Sequence, residues 1–137
     1  MKRVKAVSSK ILFVFLLTLG MTISTQARMS YFSIVTSSIT PEIGMITCSG
    51  SATSVNASVV VITMMIQESP NGTSNWTTAQ TWSRTFTPGT GTKMLTQNYF
   101  SPKTGTYYRV YVTATAKNSD MTKNLESVNV ISRTIRY

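Results

Sequence analysis

Four carboxylates (Glu42, Glu68, Asp120 and Glu126), one thiol (Cys48) and no histidine form the acid–base and metal-ligating inventory of the 137 residues. Without histidine the chain lacks the usual neutral-pH general base and the commonest nitrogen ligand for metals. No serine–histidine or cysteine–histidine pair can form, and one cysteine cannot build an ordinary structural zinc site. A glycosidase needs two carboxylates facing one cleft, but Glu68 and Glu126 adjoin predicted turns and read as solvated loop charges. Asn118-Ser119-Asp120 is too poor in oxygen ligands for a calcium loop, and no phosphate-binding glycine motif occurs. The expectation is a non-enzyme with no cofactor and no metal.

Binding chemistry is better represented. Trp76 and Trp82 share one parity along a predicted strand, so both project from one face unless a bulge intervenes. On an exposed face, with Tyr107 and Tyr111 on a neighbouring sheet, they would make an aromatic platform, a surface that stacks on sugar rings or buries against a protein partner. Trp76, Tyr107, Tyr111 and, separately, the basic Arg109 are the candidate binding residues. The competing expectation is that a tryptophan closes the core, Trp82 more readily than Trp76, which follows a polar turn. The basic residues Arg84, Lys93, Lys103, Arg109, Lys117, Lys123, Arg133 and Arg136 are spread along the chain. Arg109 and Lys117 share the wet face of one strand, and only one of Arg133 and Arg136 can join them. Such a field either keeps the domain soluble or favours anionic envelope polymers and acidic head groups. Dispersed charge argues against nucleic acid. Cys48 has no partner for an internal disulfide and reads as a small buried apolar residue, the alternative being an intermolecular bridge.

The elements that must position these groups begin after a leader. Lys2, Arg3, Lys5 and Lys10 precede an uncharged, mostly apolar run from Ile11 to Ile23, and Ser24-Thr25-Gln26-Ala27 ends it with small residues. A basic start, a short apolar centre and a small-x-small end are the parts of a secretion signal, and the run is too short for the ~20 apolar residues of a membrane span. Residues 1–27 are therefore expected to be a signal peptide, helical during targeting and cut after Ala27. Residues 28–137 are expected to be one exported domain. Four of the thirteen basic residues leave with the signal, so nine basic and four acidic residues remain, a net +5.

Within that domain, Thr, Ser, Val, Ile and Tyr alternate between closely spaced turn residues, the pattern of a many-stranded β domain. Strands are expected within 31–43, with Pro41 at an edge, and over 45–55 and 59–66. The last of these reads as central and covered on both faces. A hairpin is expected at Ser69-Pro70-Asn71-Gly72, followed by strands over 76–86, 92–100, 106–117 and 125–137. Residues 106–117 alternate most cleanly: Tyr108, Val110, Val112, Ala114 and Ala116 face in, and Tyr107, Arg109, Tyr111, Thr113, Thr115 and Lys117 face out. Seven antiparallel strands favour a two-layer sandwich.

The run Gly105-Thr106-Tyr107-Tyr108-Arg109-Val110-Tyr111-Val112 resembles the sixth strand of immunoglobulin-like and fibronectin-type sandwiches. The resemblance gives Tyr108 the part of the tyrosine whose hydroxyl turns back onto the corner backbone. Val110 stands where the family often has a cysteine, and Cys48 stands about where the partner cysteine would lie, so that disulfide is missing. No tryptophan occupies the third strand. Over nearly the whole mature chain, Thr47-Cys48-Ser49-Gly50-Ser51-Ala52, Asn75-Trp76-Thr77-Thr78, Thr81-Trp82-Ser83 and Tyr108-Arg109-Val110-Tyr111-Val112-Thr113-Ala114-Thr115 resemble a group of small secreted proteins of Gram-positive, often anaerobic, bacteria. No catalytic or binding residue carries over from that group. Together these readings point to a secreted non-catalytic binding or structural module at the cell envelope. Its partner would be an anionic wall polymer, a glycan or a protein. The alternative is a small cationic effector acting on membranes through residues 59–66.

Overall fold

The computed structural model describes residues 21–23 and 29–137. The helix expected in the leader falls mainly outside the described residues, but Met21–Ile23 form a short strand, β1. The others are β2 (Phe32–Glu42), β3 (Met45–Ser54), β4 (Val59–Ser69), β5 (Thr77–Phe86), β6 (Gly91–Phe100), β7 (Tyr107–Lys117), β8 (Asn124–Ile131) and β9 (Ile135–Arg136). They form two antiparallel sheets, ordered β1-β2-β3-β6 and β5-β4-β7-β8, with β9 pairing β7 beyond the end of β8. The fold is an all-β, immunoglobulin-like sandwich. Unlike constant-type immunoglobulin domains, whose fourth strand lies with the first two, β5 stays beside β4.

Alternation decides what each strand buries. In β3 every second residue from Ile46 to Ser54 is buried, and in β7 every second residue from Tyr108 to Ala116. Val35, Ile39, Ile46 and Cys48 of one sheet meet Val60, Ile62, Met64, Ile66, Val110 and Val112 of the other in a single core. The layers touch most closely where β3 has a glycine: a Cβ on Gly50 would lie 2.8 Å from Val112 Cγ2. Beside it the buried Ser37 hydroxyl donates to Val110 O at 2.9 Å, a direct hydrogen bond between the sheets.

Four local expectations change. Strand β4 is central, hydrogen-bonded to β5 and β7, but only one face is covered: Val60, Ile62, Met64 and Ile66 are buried while Val61, Thr63 and Met65 remain partly open. The last strand divides because Ser132 takes over its ladder position, its hydroxyl accepting Val110 N–H at 2.8 Å. The β4–β5 connection is a longer loop than a two-residue hairpin. Gly72 has positive φ but Asn71 does not. Instead the Asn71 carboxamide oxygen accepts Thr73 N–H and Ser74 N–H at 3.0 and 2.9 Å, an Asx-type turn. Finally, β5 starts at Thr77 and carries a bulge. Ile66 pairs with Gln80 but Gln67 pairs with Thr78, leaving Ala79 unopposed and reversing the parity of everything before it.

Candidate functional site

That bulge separates the two tryptophans. Trp82 pairs across from buried Met64 and packs, half-buried, against the core. Trp76 falls on the opposite, outer face, where the Arg109 guanidinium lies 4.1 Å from its ring centroid. Arg109 also donates from Nε to Gln67 Oε1 at 2.9 Å, and Gln67 is its cross-strand partner on β4. Partial burial under the indole lowers the guanidinium pKa, yet arginine remains charged.

Tyr107 and Tyr111 flank Arg109 on the same face of β7. They share one sheet with β5, rather than lying on a neighbouring sheet as expected. The Tyr107 ring packs on Gly72, where an added Cβ would sit 2.7 Å from it. Arg136, opposite Tyr107 on β9, places its guanidinium 5.9 Å from that ring. Tyr111 lies between Met65 of β4 and Ile131 of β8, the latter 37% exposed. The outer face thus ends in two arginine–aromatic pairs bordered by Tyr111, Met65 and Ile131. Lys117 is at the far end of β7, opposite Val59, roughly 26 Å away at ~3.3 Å per residue, and takes no part. Arg133 is exposed between β8 and β9.

Around the corner of this strip lies an open cleft of about 270 Å³ lined by Glu68, Ser69, Pro70, Asn75, Thr77, Lys103 and Thr106. Lys103 Nζ reaches Glu68 Oε1 at 3.6 Å, an exposed ammonium on a more sheltered carboxylate. Among the described residues this is the one ion pair, so neither Arg109 nor Arg136 is neutralised by an acid there. Glu68 Oε2 is closed off from solvent without a hydrogen-bond partner. The Tyr108 hydroxyl accepts Lys103 N–H at 2.9 Å, five residues upstream, turning the β6–β7 corner. Burial is the first cause raising the Tyr108 pKa; the Lys103 hydrogen bond lowers it, and Tyr99 and Glu68 push it further up.

Cys48 lies within the core, fully enclosed, and burial pushes its thiol up to about 12. An intermolecular bridge through it would require the sandwich to open. At the opposite pole the Glu126 carboxylate accepts the Ser30, Tyr31 and Phe32 N–H groups, which ties the first described residues of the domain to β8. Asp120 is held ionised by hydrogen bonds from Thr122. Among the described residues no three His, Cys, Asp or Glu side chains gather as a metal site.

The structure brings Trp76, Tyr107, Arg109 and Tyr111 onto one face and adds Gln67, which sequence reasoning did not single out. It joins to them Arg136, one of the two arginines left as alternatives, and Gly72 of the expected hairpin. Gln67 could have been found from its parity in β4. The choice of Arg136 over Arg133 could not be made, because it depends on the break at Ser132.

The fold defines an immunoglobulin-like β-sandwich. No protein-family model matches the chain, and no curated protein is significantly similar to it.

Proposed function

We propose that residues 28–137 form an exported, non-catalytic binding module of the cell envelope, and that its ligand is an anionic, sugar-containing polymer. The observation that carries this reading is the Arg109–Trp76 pair, with Tyr107 and Tyr111 to either side. A guanidinium stacked on an indole keeps its outer N–H groups directed at carboxylate or phosphate. The aromatic faces beside it suit the apolar faces of sugar rings. With no acid paired to Arg109 or Arg136 among the described residues, their charge gives an anionic chain a reason to run along the strip. A membrane-active role would require β4 to leave its place between β5 and β7, and nothing in the fold favours that.

The test is co-sedimentation of the mature protein with isolated cell walls in low and high salt, using wild type, Trp76→Ala and Arg109→Gln. Binding that both substitutions weaken, and that salt weakens in wild type, supports the proposal. Wall binding unchanged by either substitution would refute it.

A further inference from the structure

A sheet edge exposes unpaired N–H and C=O groups, and soluble proteins defend edges with inward-pointing charges, prolines or covering segments. Three edges of this sandwich carry an inward-pointing charge. On β6 it is Lys93, opposite buried Ala52; on β5 it is Arg84, opposite buried Ile62; on β8 it is Glu126, opposite buried Ala116. Strand β2 differs. Its one ionisable residue, Glu42, and its one proline, Pro41, stand at one end and a bulge at Ser33 at the other, so the stretch from Ile34 to Thr40 carries none of these devices. What covers the middle of this edge is β1, pairing antiparallel with Met21 opposite Ser38, Thr22 opposite Ser37 and Ile23 opposite Thr36.

Those three residues lie inside the predicted leader, so the following rests on the reading that residues 1–27 are removed on export. Cutting after Ala27 takes away β1 and opens the undefended edge. We propose that the mature protein pairs with a second copy of itself through β2, antiparallel about a two-fold axis at Ser37. Two-fold pairing of identical strands is necessarily antiparallel, the sense in which β1 already binds. The leader and the second copy therefore compete for the same backbone groups, and the leader holds the chain monomeric until it is cut.

The edge is self-complementary in this register. Thr36 faces Ser38 of the copy, so uncharged hydroxyls meet at the centre. The regular ladder runs from Ile34 to Thr40, with Ile34 opposite Thr40 of the copy; the bulge at Ser33 and Pro41 end it, and Glu42 lies outside it, away from the other acid. The two three-stranded sheets β2-β3-β6 become one sheet of six, with the arginine–aromatic strips left open on the other layer. Two strips per particle would strengthen attachment to a repeating polymer without any new contact.

The experiment is sedimentation equilibrium on protein purified from culture medium, its N-terminus fixed by intact mass. The expected result is a concentration-dependent dimer. Thr36→Lys with Ser38→Lys sets like charges face to face across the axis and should weaken association about tenfold or more. Thr36→Lys with Ser38→Glu pairs opposite charges at both places and should restore it. Both positions are on the outer face, so circular dichroism should show all three proteins folded. A correctly cut protein that stays monomeric overturns the proposal, as does a dimer insensitive to both double substitutions. Exported protein that keeps residues 21–23 overturns the leader reading, and the proposal with it.

Discussion

The outer faces of the two sheets rest on the same alternating backbone and carry different chemistry. On β2, β3 and β6 the outward rows are mostly hydroxyls and amides, with Ile34, Met94 and Phe100 as exposed apolar side chains. Thr36 bonds Ser51, Thr47 donates to Asn98 at 3.1 Å, Ser49 meets Thr96 at 3.1 Å, and Thr53 meets Thr92 at 2.9 Å. These pairs satisfy one another across the strands and leave the face almost uncharged. The far half of the β4–β7–β8 face is similar, with Thr63–Ser83, Thr113–Asn129 and Thr115–Ser127 pairs. Only the end nearest Trp76 exchanges hydroxyl pairs for guanidinium–aromatic pairs. Strand propensity and solubility are met equally well by hydroxyls, so neither explains the change. The difference marks where the molecule has surface chemistry beyond what folding requires.

The comparison is broken most severely through the core both faces share. Gly50→Val drives methyl groups into Val112 and should cost about 3 kcal/mol, at the upper end of overpacking penalties, read as a lower urea midpoint for the whole domain. Alkali acts on the same core. Cys48 and Tyr108 both have raised pKa values in the fold, so folding favours their protonated forms. That stability is complete below the unfolded values, about 9 for the thiol and about 10 for the phenol. It is lost as pH rises toward about 12, the folded value of Cys48. Unfolding curves should therefore be flat in this respect at neutral pH and shift to lower urea above pH ~9, and Cys48→Ala should remove part of that shift.

Smaller effects sharpen the contrast. Trp76→Ala should weaken wall binding about tenfold, near the value of a partly desolvated cation–π contact, while changing stability by less than about 1 kcal/mol. Arg109→Lys keeps the charge and loses the planar stack, so salt-dependent binding should persist at reduced affinity. The smallest effect belongs to the hydroxyl face. Ser49→Lys should leave wall binding unchanged and alter stability by within about 0.5 kcal/mol; a loss of binding equal to that of Trp76→Ala would move the site to the other sheet.

Much of the architecture is legible in the sequence because inward residues of β3, β4 and β7 alternate without interruption, and Gly, Pro and Asn mark the turns. Tyr107, Arg109 and Tyr111 reveal their common face for the same reason. What is not legible comes from single-residue irregularities and non-local register. One unopposed alanine at position 79 sends Trp76 and Trp82 to opposite faces, and residue types around it give no sign of this. The Trp76–Arg109 contact needs β5, β4 and β7 to align, and the Tyr107–Arg136 contact needs the chain to break at Ser132 and resume on β7. Pairing between residues 21–23 and β2 is hidden because the apolar run there reads as targeting sequence.

Tyr137 closes the molecule at the pole opposite the Glu126 clamp. Its hydroxyl accepts Gly44 N–H at 2.7 Å and donates to Glu42 O at 2.9 Å, and its backbone bonds Thr106 and Gly105. Between Ser30 and Tyr137 the chain thus runs from one pole of the sandwich to the other, roughly 35 Å apart at ~3.3 Å per residue of an 11-residue strand. A tether pulling on these two ends would draw β2 along β3 lengthwise, so that their hydrogen bonds must yield together instead of opening one by one like a zipper. An anchored domain of this build would resist tension in shear, which single-molecule pulling between residues 29 and 137 would measure as a force well above that for pulling across the β2–β3 hairpin.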